Sequence, residues 1–355
     1  MIDRSRRVEA RFGEKEIDLL LVTDLVNVGY LTGFTGSNAM CVLGPGRRRF
    51  ITDFRYVEQA AGEVSGYELE QGPQDFLLAL EGGWPEGDVT VGFEDQHLSV
   101  RQHERLRAIV PANVHLVAAG GLVEAERAVK EEPEIEAIRA AAALADEALR
   151  EVLAAGVLGR TEREVALDLE QRMRLRGAEP SFPSIVASGE QGALPHAQAR
   201  DVPIVSDTLV TIDWGARLDG YCSDCTRTFA TGSLAREQVD LYTLVERAQA
   251  GALEAVRPGP LGREVDAVAR EIIEGAGHGE HFGHGLGHGV GLEVHEGPRL
   301  ARTGQEPLRA GNVVTVEPGV YVPGLGGVRI EDLAVVREGG PQVLSGLPKD
   351  LTVIT

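Results

Sequence analysis

The pattern of apolar and polar positions divides the chain into two stretches with different rhythms. Over the first part, short apolar runs at residues 17–22, 40–43, 50–52 and 89–93 read as strands, and Gly44-Pro45-Gly46 reads as a turn between the second and third. Residues 75–80 and 100–109 carry helical spacing. Together these predict a compact α/β domain over residues 1–125. A charged stretch at 124–132 then leads into Pro133, a residue suited to the first turn of a helix. Ile135, Ile138, Ala142, Ala145, Leu149 and Val152 follow at helical spacing, and Gly156 is placed to end that helix. We put the boundary there and assign residues 126–355 to a second domain.

The second domain repeats itself. Residues 148–165 read ALREVLAAGVLGRTEREV and residues 252–265 read ALEAVRPGPLGREV, so Val165 and Val265 align 100 residues apart. Thr161 with Glu164 fits a capping box for a helix ending near Gly177, and its counterpart runs from about Gly262 to Ile273. Each helical stretch precedes two apolar, β-rich runs around a glycine turn. The first pair is 209–214 and 226–230 about a turn at 217–220; the second is 313–317 and 328–336 about a turn at 324–327. The domain therefore reads as two αα-β-hairpin halves, an internally duplicated fold.

Four acids sit on those hairpins. Asp213 and Asp224 have their midpoint at 218.5, inside the first turn, and Glu317 and Glu331 have theirs at 324, inside the second. Residues equidistant from a hairpin turn face each other, so two like-charged pairs are expected at equivalent places in the two halves. Asp213 follows Leu209-Val210-Thr211-Ile212 and Glu317 follows Val313-Val314-Thr315-Val316, runs that belong to interior strands. Like charges facing each other on buried strands are costly unless a cation sits between them, which favours metal ligation over a merely hydrated edge.

Histidine changes the picture next. Five of nine histidines (His278, His281, His284, His288 and His295) fall in HGEHFGHGLGHGVGLEVHE, where the glycines permit close backbone approach. For His278 and His281 an exposed or internally satisfied ring is the simpler reading. Imidazole beside four carboxylates points to a transition metal rather than calcium or magnesium. Two divalent ions (+4) would balance the four acids (−4), which favours a two-metal site.

Composition narrows the partners. Lys and Arg total 35 against 55 Asp and Glu, a net −20 that disfavours nucleic acid and anionic membranes. No apolar run is long enough to span a bilayer, and the N-terminal residues lack the apolar segment of a signal peptide, so a cytoplasmic location is expected. Three cysteines do not make a disulfide framework. Cys222 and Cys225 form a C-x-x-C, but on a strand that odd spacing sends them to opposite faces and works against a redox or zinc pair.

These motifs resemble the pita-bread metallopeptidases, the group that holds methionyl aminopeptidase, aminopeptidase P and prolidase. DWGARLDGYCSDCTRTF is similar to the family's first metal hairpin, HGLGHGVGLEVHE to its histidine loop, and VVTVEPGVYVPGLGGVRIED to its second hairpin. NVGYLTGFTGSNA and TDFRY resemble the creatinase-like domain of the proline-specific branch. The resemblance implies a creatinase-like α/β domain followed by a duplicated pita-bread α+β domain. It implies Asp213, Asp224, His288, Glu317 and Glu331 as metal ligands for two divalent ions, with manganese ahead of zinc, cobalt or iron. It also implies His196 in GALPHA as a substrate-binding histidine, and His284 as lining the pocket for the residue after the scissile bond. His295 would bond the substrate carbonyl, Tyr321 would sit in the active site unless it is simply a core aromatic, and Arg329 would brace the carboxylates.

The implied reaction is hydrolysis of the bond before proline, with Glu317 moving a proton to the leaving nitrogen. The compact chain leans the reading towards an aminopeptidase P that releases the residue before proline from longer peptides. A prolidase restricted to dipeptides is the alternative, and it requires a cationic group for the dipeptide carboxylate that no motif reveals. Methionyl aminopeptidase and an inactive peptide-binding module are more distant; the latter disagrees with five intact ligand positions. A homodimer, in which the N-terminal domain closes the partner's cleft, is a further implication of the resemblance.

Overall fold

In the computed structural model, which describes residues 4–355, the chain divides into two compact units, one up to Arg127 and one from Ala128. The first unit is a six-stranded mixed sheet in the order Glu68–Gln71, Arg47–Thr52, Ala39–Gly44, Leu19–Val22, Val89–Phe93, Val114–Ala118. The four expected strands are all present. Gly46, at φ 74°, makes the turn between Ala39–Gly44 and Arg47–Thr52. The helix Val100–Ile109 begins at a capping box made by Ser99 and Gln102. The helical stretch expected over 75–80 is a 3₁₀ helix, Phe76–Leu80. The two outer strands escaped the reading: Glu68–Gln71 is almost wholly polar, His115 interrupts the apolar residues of Val114–Ala118, and both are largely exposed or half-buried.

In the second unit the duplication is physical. Helices Glu132–Ala154 and Glu162–Leu175 belong to one half, Arg236–Glu254 and Gly262–Gly275 to the other. Gly156, Gly177 and Gly277 follow helix ends with φ of 84°, 83° and 86°, which an L side chain rarely adopts. The carboxylate of Glu164 accepts the Thr161 N–H (2.7 Å), and that of Glu264 accepts the Leu261 N–H (2.8 Å). Thr161 bridges to Pro203 in one half, and Leu261 to Pro307 in the other. Each half has its own apolar core. Leu149, Val165, Leu169, Val210, Ile212 and Trp214 pack in the first, and Val245, Val265, Ile273, Val314, Val316 and Ile330 in the second.

The hairpins sit where the halves meet. Strand Leu209–Trp214 pairs with Cys225–Ala230, and Val313–Val316 with Asp332–Val335. The seam between halves is stitched by Glu331 N–H to Thr226 O (3.0 Å), Thr228 Oγ1 to Arg329 O (2.9 Å) and Arg329 N–H to Thr228 Oγ1 (3.1 Å). Both hairpins therefore deliver their acids to one place. Cys222 and Cys225 are free and buried in separate apolar clusters, as their odd spacing implied.

Candidate metal centre

The acids are held at the ends and breaks of strands. Asp213 lies within Leu209–Trp214, and Asp224 falls in the break between Tyr221–Cys222 and Cys225–Ala230. Glu317 directly follows Val313–Val316, and Glu331 falls between Gly326–Arg329 and Asp332–Val335. His288 is in the middle of Gly287–Gly289. The second pair obeys its predicted register: the ladders on either side, Val316 with Asp332 and Gly319 with Arg329, carry Glu317 opposite Glu331.

The first pair does not. Asp213 stands opposite Thr226, so Asp224 is diagonal to it by two residues. The cause is the turn: Asp219 and Gly220 both have positive φ (49° and 88°), which makes a two-residue turn centred between them. That centre lies one position beyond the predicted midpoint and shifts the pairing by two.

One oxygen each from Asp213, Asp224 and Glu331 lie within 4.8 Å of one another. His288 Nε2 is 3.7 Å from Asp224 Oδ2 and 3.3 Å from Glu317 Oε1. Its Nδ1–H donates to the Gly289 carbonyl at 3.1 Å, which turns Nε2 towards the acids. Thr315 Oγ1 accepts the His288 N–H and donates to Glu317 Oε1, both at 3.1 Å, linking the histidine loop to the second hairpin. Glycine is required at 287: a Cβ there would meet the Thr315 carbonyl oxygen at 2.1 Å.

The donor set fits a divalent cation. Asp213 Oδ1 and Glu331 Oε1 are buried and have no hydrogen-bond partner among the described residues, whereas the companion oxygens are taken. Arg329 Nη2 donates to Asp213 Oδ2 (2.7 Å), and Thr226 Oγ1 donates to Glu331 Oε2 (2.7 Å). Each carboxylate is thus anchored on one side and open on the other, the arrangement of a ligand awaiting an ion. Burial pushes Asp224 and Glu331 well above the usual carboxylate range, and the surrounding acids push the same way. Asp213 is raised by burial against the opposing pull of Arg329. Burial also acts upward on Glu317, but its bond to His288 wins and brings it down to about 2. His288 is raised by that same partner despite its burial. Without metal, Glu317 is held ionised by its bond to His288, beside three acids reluctant to ionise.

Around this centre runs one hydrogen-bonded network. Arg329 is buried and donates to Asp213, to Thr226 Oγ1 (3.0 Å), to the Pro195 carbonyl (3.1 Å) and to Tyr321 Oη (2.9 Å). The Tyr321 hydroxyl in turn lies 2.9 Å from His284 Nε2, while His284 Nδ1–H donates to the Gly285 carbonyl at 2.7 Å. Tyr321 is thus a member of the site rather than a core aromatic. His295 packs edge-on against His288 at 4.3 Å between ring centroids. His196, beside Pro195, is exposed and close enough for its charge to act on both His284 and His295. Arg329 and Glu331 share the Thr226 hydroxyl, which accepts from Arg329 Nε and donates to Glu331 Oε2, so the guanidinium braces Glu331 through Thr226 and Asp213 directly.

Two residues escaped the sequence reading. Thr226 was open to it, since it stands two positions after Asp224 and opposite Asp213 once the turn is correctly centred. Arg299 was not, because it belongs to no motif. It is exposed, has no hydrogen-bond or ion-pair partner among the described residues, and lies close enough to His295 to help hold its basicity down, after burial and His288.

Comparison with known proteins gives the family. Residues 136–338 match the sequence profile of metallopeptidase family M24, and residues 4–129 match that of the creatinase/prolidase N-terminal domain. The chain belongs to metallopeptidase family M24. An M24 relative, the Xaa-Pro dipeptidase of Pyrococcus horikoshii, is 36% identical over 99% of this chain and 99% of its own. The solved Xaa-Pro dipeptidase of Bacillus anthracis superposes with a TM-score of 0.95 at 38% identity, covering 99% of both chains. The X-Pro aminopeptidase of Thermotoga maritima superposes at 0.87 with 35% identity, over 99% of this chain and 100% of that one. The M24 pita-bread architecture with a creatinase-like N-terminal domain is therefore the fold, as the motifs implied. No helix among the described residues is long and apolar enough to cross a membrane.

Proposed function

We propose that the chain is a divalent-metal-dependent Xaa-Pro dipeptidase, which reverses the lean towards aminopeptidase P. The observation that carries the reading is Arg299, an exposed guanidinium four residues after His295 that has no ion-pair partner among the described residues and whose charge acts on that histidine. A dipeptide places its carboxylate one residue past the scissile bond, where such a cation can hold it; in a longer peptide that carboxylate is an amide. Xaa-Pro dipeptidases and prolidases also outnumber aminopeptidases among the similar proteins.

Asp213, Asp224, His288, Glu317 and Glu331 would hold two ions, manganese being the first to test, followed by zinc, cobalt and iron. When bound, they supply Lewis acidity and an acidified water. Glu317 moves a proton to the leaving imino nitrogen. His295 donates to the substrate carbonyl oxygen, where negative charge develops. His284, with Tyr321 behind it, and His196 line the pocket for the proline ring, which has no N–H to satisfy. The substrate's free amine lies towards the acids. Two copies of the chain form the working particle, a reading that the mass of the purified protein in solution checks.

The test compares Xaa-Pro dipeptides with Xaa-Pro-Yaa tripeptides in defined metals, using the wild type and Arg299→Leu. Dipeptides are expected to be strongly preferred by the wild type, and Arg299→Leu to raise KM for dipeptides while sparing tripeptides. Tripeptides cleaved as well as dipeptides by the wild type would return the assignment to an aminopeptidase.

A further inference from the structure

The segment that carries His284 reads Phe282-Gly283-His284-Gly285-Leu286-Gly287, with every second residue a glycine. Such a chain has little conformational preference of its own, so something else must fix its shape. Asp266 and Arg270 supply that hold. They stand one turn apart on the helix Gly262–Gly275, on the face that also buries Val265, Ala269 and Ile273. Their side chains are 1% and 9% exposed and paired through two bonds of 2.8 Å, Arg270 Nε to Asp266 Oδ2 and Arg270 Nη2 to Asp266 Oδ1.

The pair's remaining bonds all go to the glycine-rich segment. Arg270 Nη1 donates to the Phe282 carbonyl (3.0 Å) and Nη2 to the His284 carbonyl (2.9 Å), and Asp266 Oδ1 accepts the Leu286 N–H (3.0 Å). The guanidinium also lies 4.3 Å from the Phe282 ring centroid. Three alternate backbone groups, centred on His284, are therefore pinned to one helix. The imidazole is fixed at both nitrogens, to the Gly285 carbonyl and to the Tyr321 hydroxyl, and the first of those bonds exists only while this backbone keeps its shape. A buried ion pair is a poor source of stability compared with packed apolar side chains, so its presence on a core face, with every remaining bond sent to one segment, points to a demand for placement.

We infer that Asp266 and Arg270 are positioning residues for His284, setting the orientation and tautomer of its ring and thereby the fit of the residue after the scissile bond. The kinetic part of this inference rests on the peptidase reading; the structural part does not. The first half grips its own histidine segment with a different residue. Glu162 is fully buried and accepts Ser188 N–H (2.9 Å) and Arg200 N–H (3.0 Å), closing the ends of the stretch that carries His196.

Two substitutions test the inference: Arg270→Lys, which keeps the charge but loses the planar fork, and Asp266→Asn, which keeps an acceptor for Leu286. The decisive readout is the histidine ¹⁵N–¹H spectrum of the full-length protein, which needs no substrate. Both variants are expected to displace the His284 Nδ1–H resonance while folded dispersion is retained elsewhere; an unmoved resonance overturns the inference. In turnover of an Xaa-Pro dipeptide, KM should rise on the order of ten- to a hundredfold at unchanged metal content, with kcat held within about threefold. In a His284→Ala background the same two substitutions should add almost nothing. An equal further loss in that background would show a general structural role and sink the proposal. If the wild type cleaves no Xaa-Pro peptide, the functional reading falls and the spectrum alone decides the positioning role.

Discussion

Replacing Thr226 by Val isolates the support behind one carboxylate. Valine matches threonine in shape, and the site is fully buried, so packing is nearly preserved. Two bonds disappear: the 2.7 Å donation to Glu331 Oε2 and the 3.0 Å acceptance from Arg329 Nε. A neutral hydrogen bond contributes about 1 kcal/mol and one to an ionised group about 1.5–3 kcal/mol. In the metal-free protein Glu331 is pushed towards its protonated form, whereas a metal requires it ionised. The loss therefore falls harder on the metal-loaded state, by about 0.5–2 kcal/mol. That corresponds to roughly two- to thirtyfold in metal dissociation constant at 1.4 kcal/mol per decade. Titration calorimetry on chelator-stripped protein, with thermal melts of the stripped form in parallel, measures both quantities. An unchanged metal affinity alongside a lowered melting temperature would refute the reasoning, because it would make Thr226 a packing residue only.

Other consequences follow from the same centre. Asp224 and Glu331 have folded-state values above their unfolded ones, so their contribution to stability is complete below the ordinary carboxylate range and is lost as pH rises through the folded values. Asp146, pushed by burial up to about 6, acts with the same sign, whereas Glu317, down at about 2, loses its opposite contribution only in strong acid. Melting of the metal-free protein should accordingly shift to lower temperature as pH rises from about 5 towards 7, and added divalent metal should reverse the shift; a midpoint that climbs over this range without metal counts against the picture. Glu317→Gln should lower kcat by about 10²–10⁴, measured at saturating metal, and a variant with near-normal turnover would remove the assigned proton carrier. Gly215→Ala would set a Cβ 2.0 Å from the Ser223 carbonyl oxygen within the first hairpin. It should cost about 3 kcal/mol or more in denaturant unfolding, and a loss under about 0.5 kcal/mol would mean the hairpin is more pliable than drawn.

Local pattern reached far into this protein. Helix spacing, capping residues and terminal glycines are properties of neighbouring residues, and they placed Glu162–Leu175 and Gly262–Gly275 within a turn of where they lie. The duplication was legible because both halves bury the same face of the same elements. The Glu317–Glu331 register was legible because the three residues between Val322 and Gly326 make a symmetric turn about position 324. The first hairpin was misplaced by a signal that was present: Asp219-Gly220 is the dipeptide of a two-residue turn with both φ positive, and it outranks a count of midpoints.

Periodicity and turn chemistry act over a few residues, and that range covers which elements form and which residues stand at their ends. Asp213, Asp224, Glu317 and Glu331 were within it, because each lies on or next to a strand that flanks a short hairpin turn, whereas His288 was singled out as a ligand by the family resemblance. Which distant groups meet was left to the folded chain. Arg329 reaches Asp213, 116 residues away, and Arg270 grips the loop before His288. The first encounter depends on how the two halves close against each other and the second on how the later half folds on itself, and in a long arginine the functional end lies several bonds from the backbone that local patterns describe. The acids were written into the chain; the contacts by which Arg329 holds Asp213 and Arg270 holds the glycine-rich segment were selected by packing.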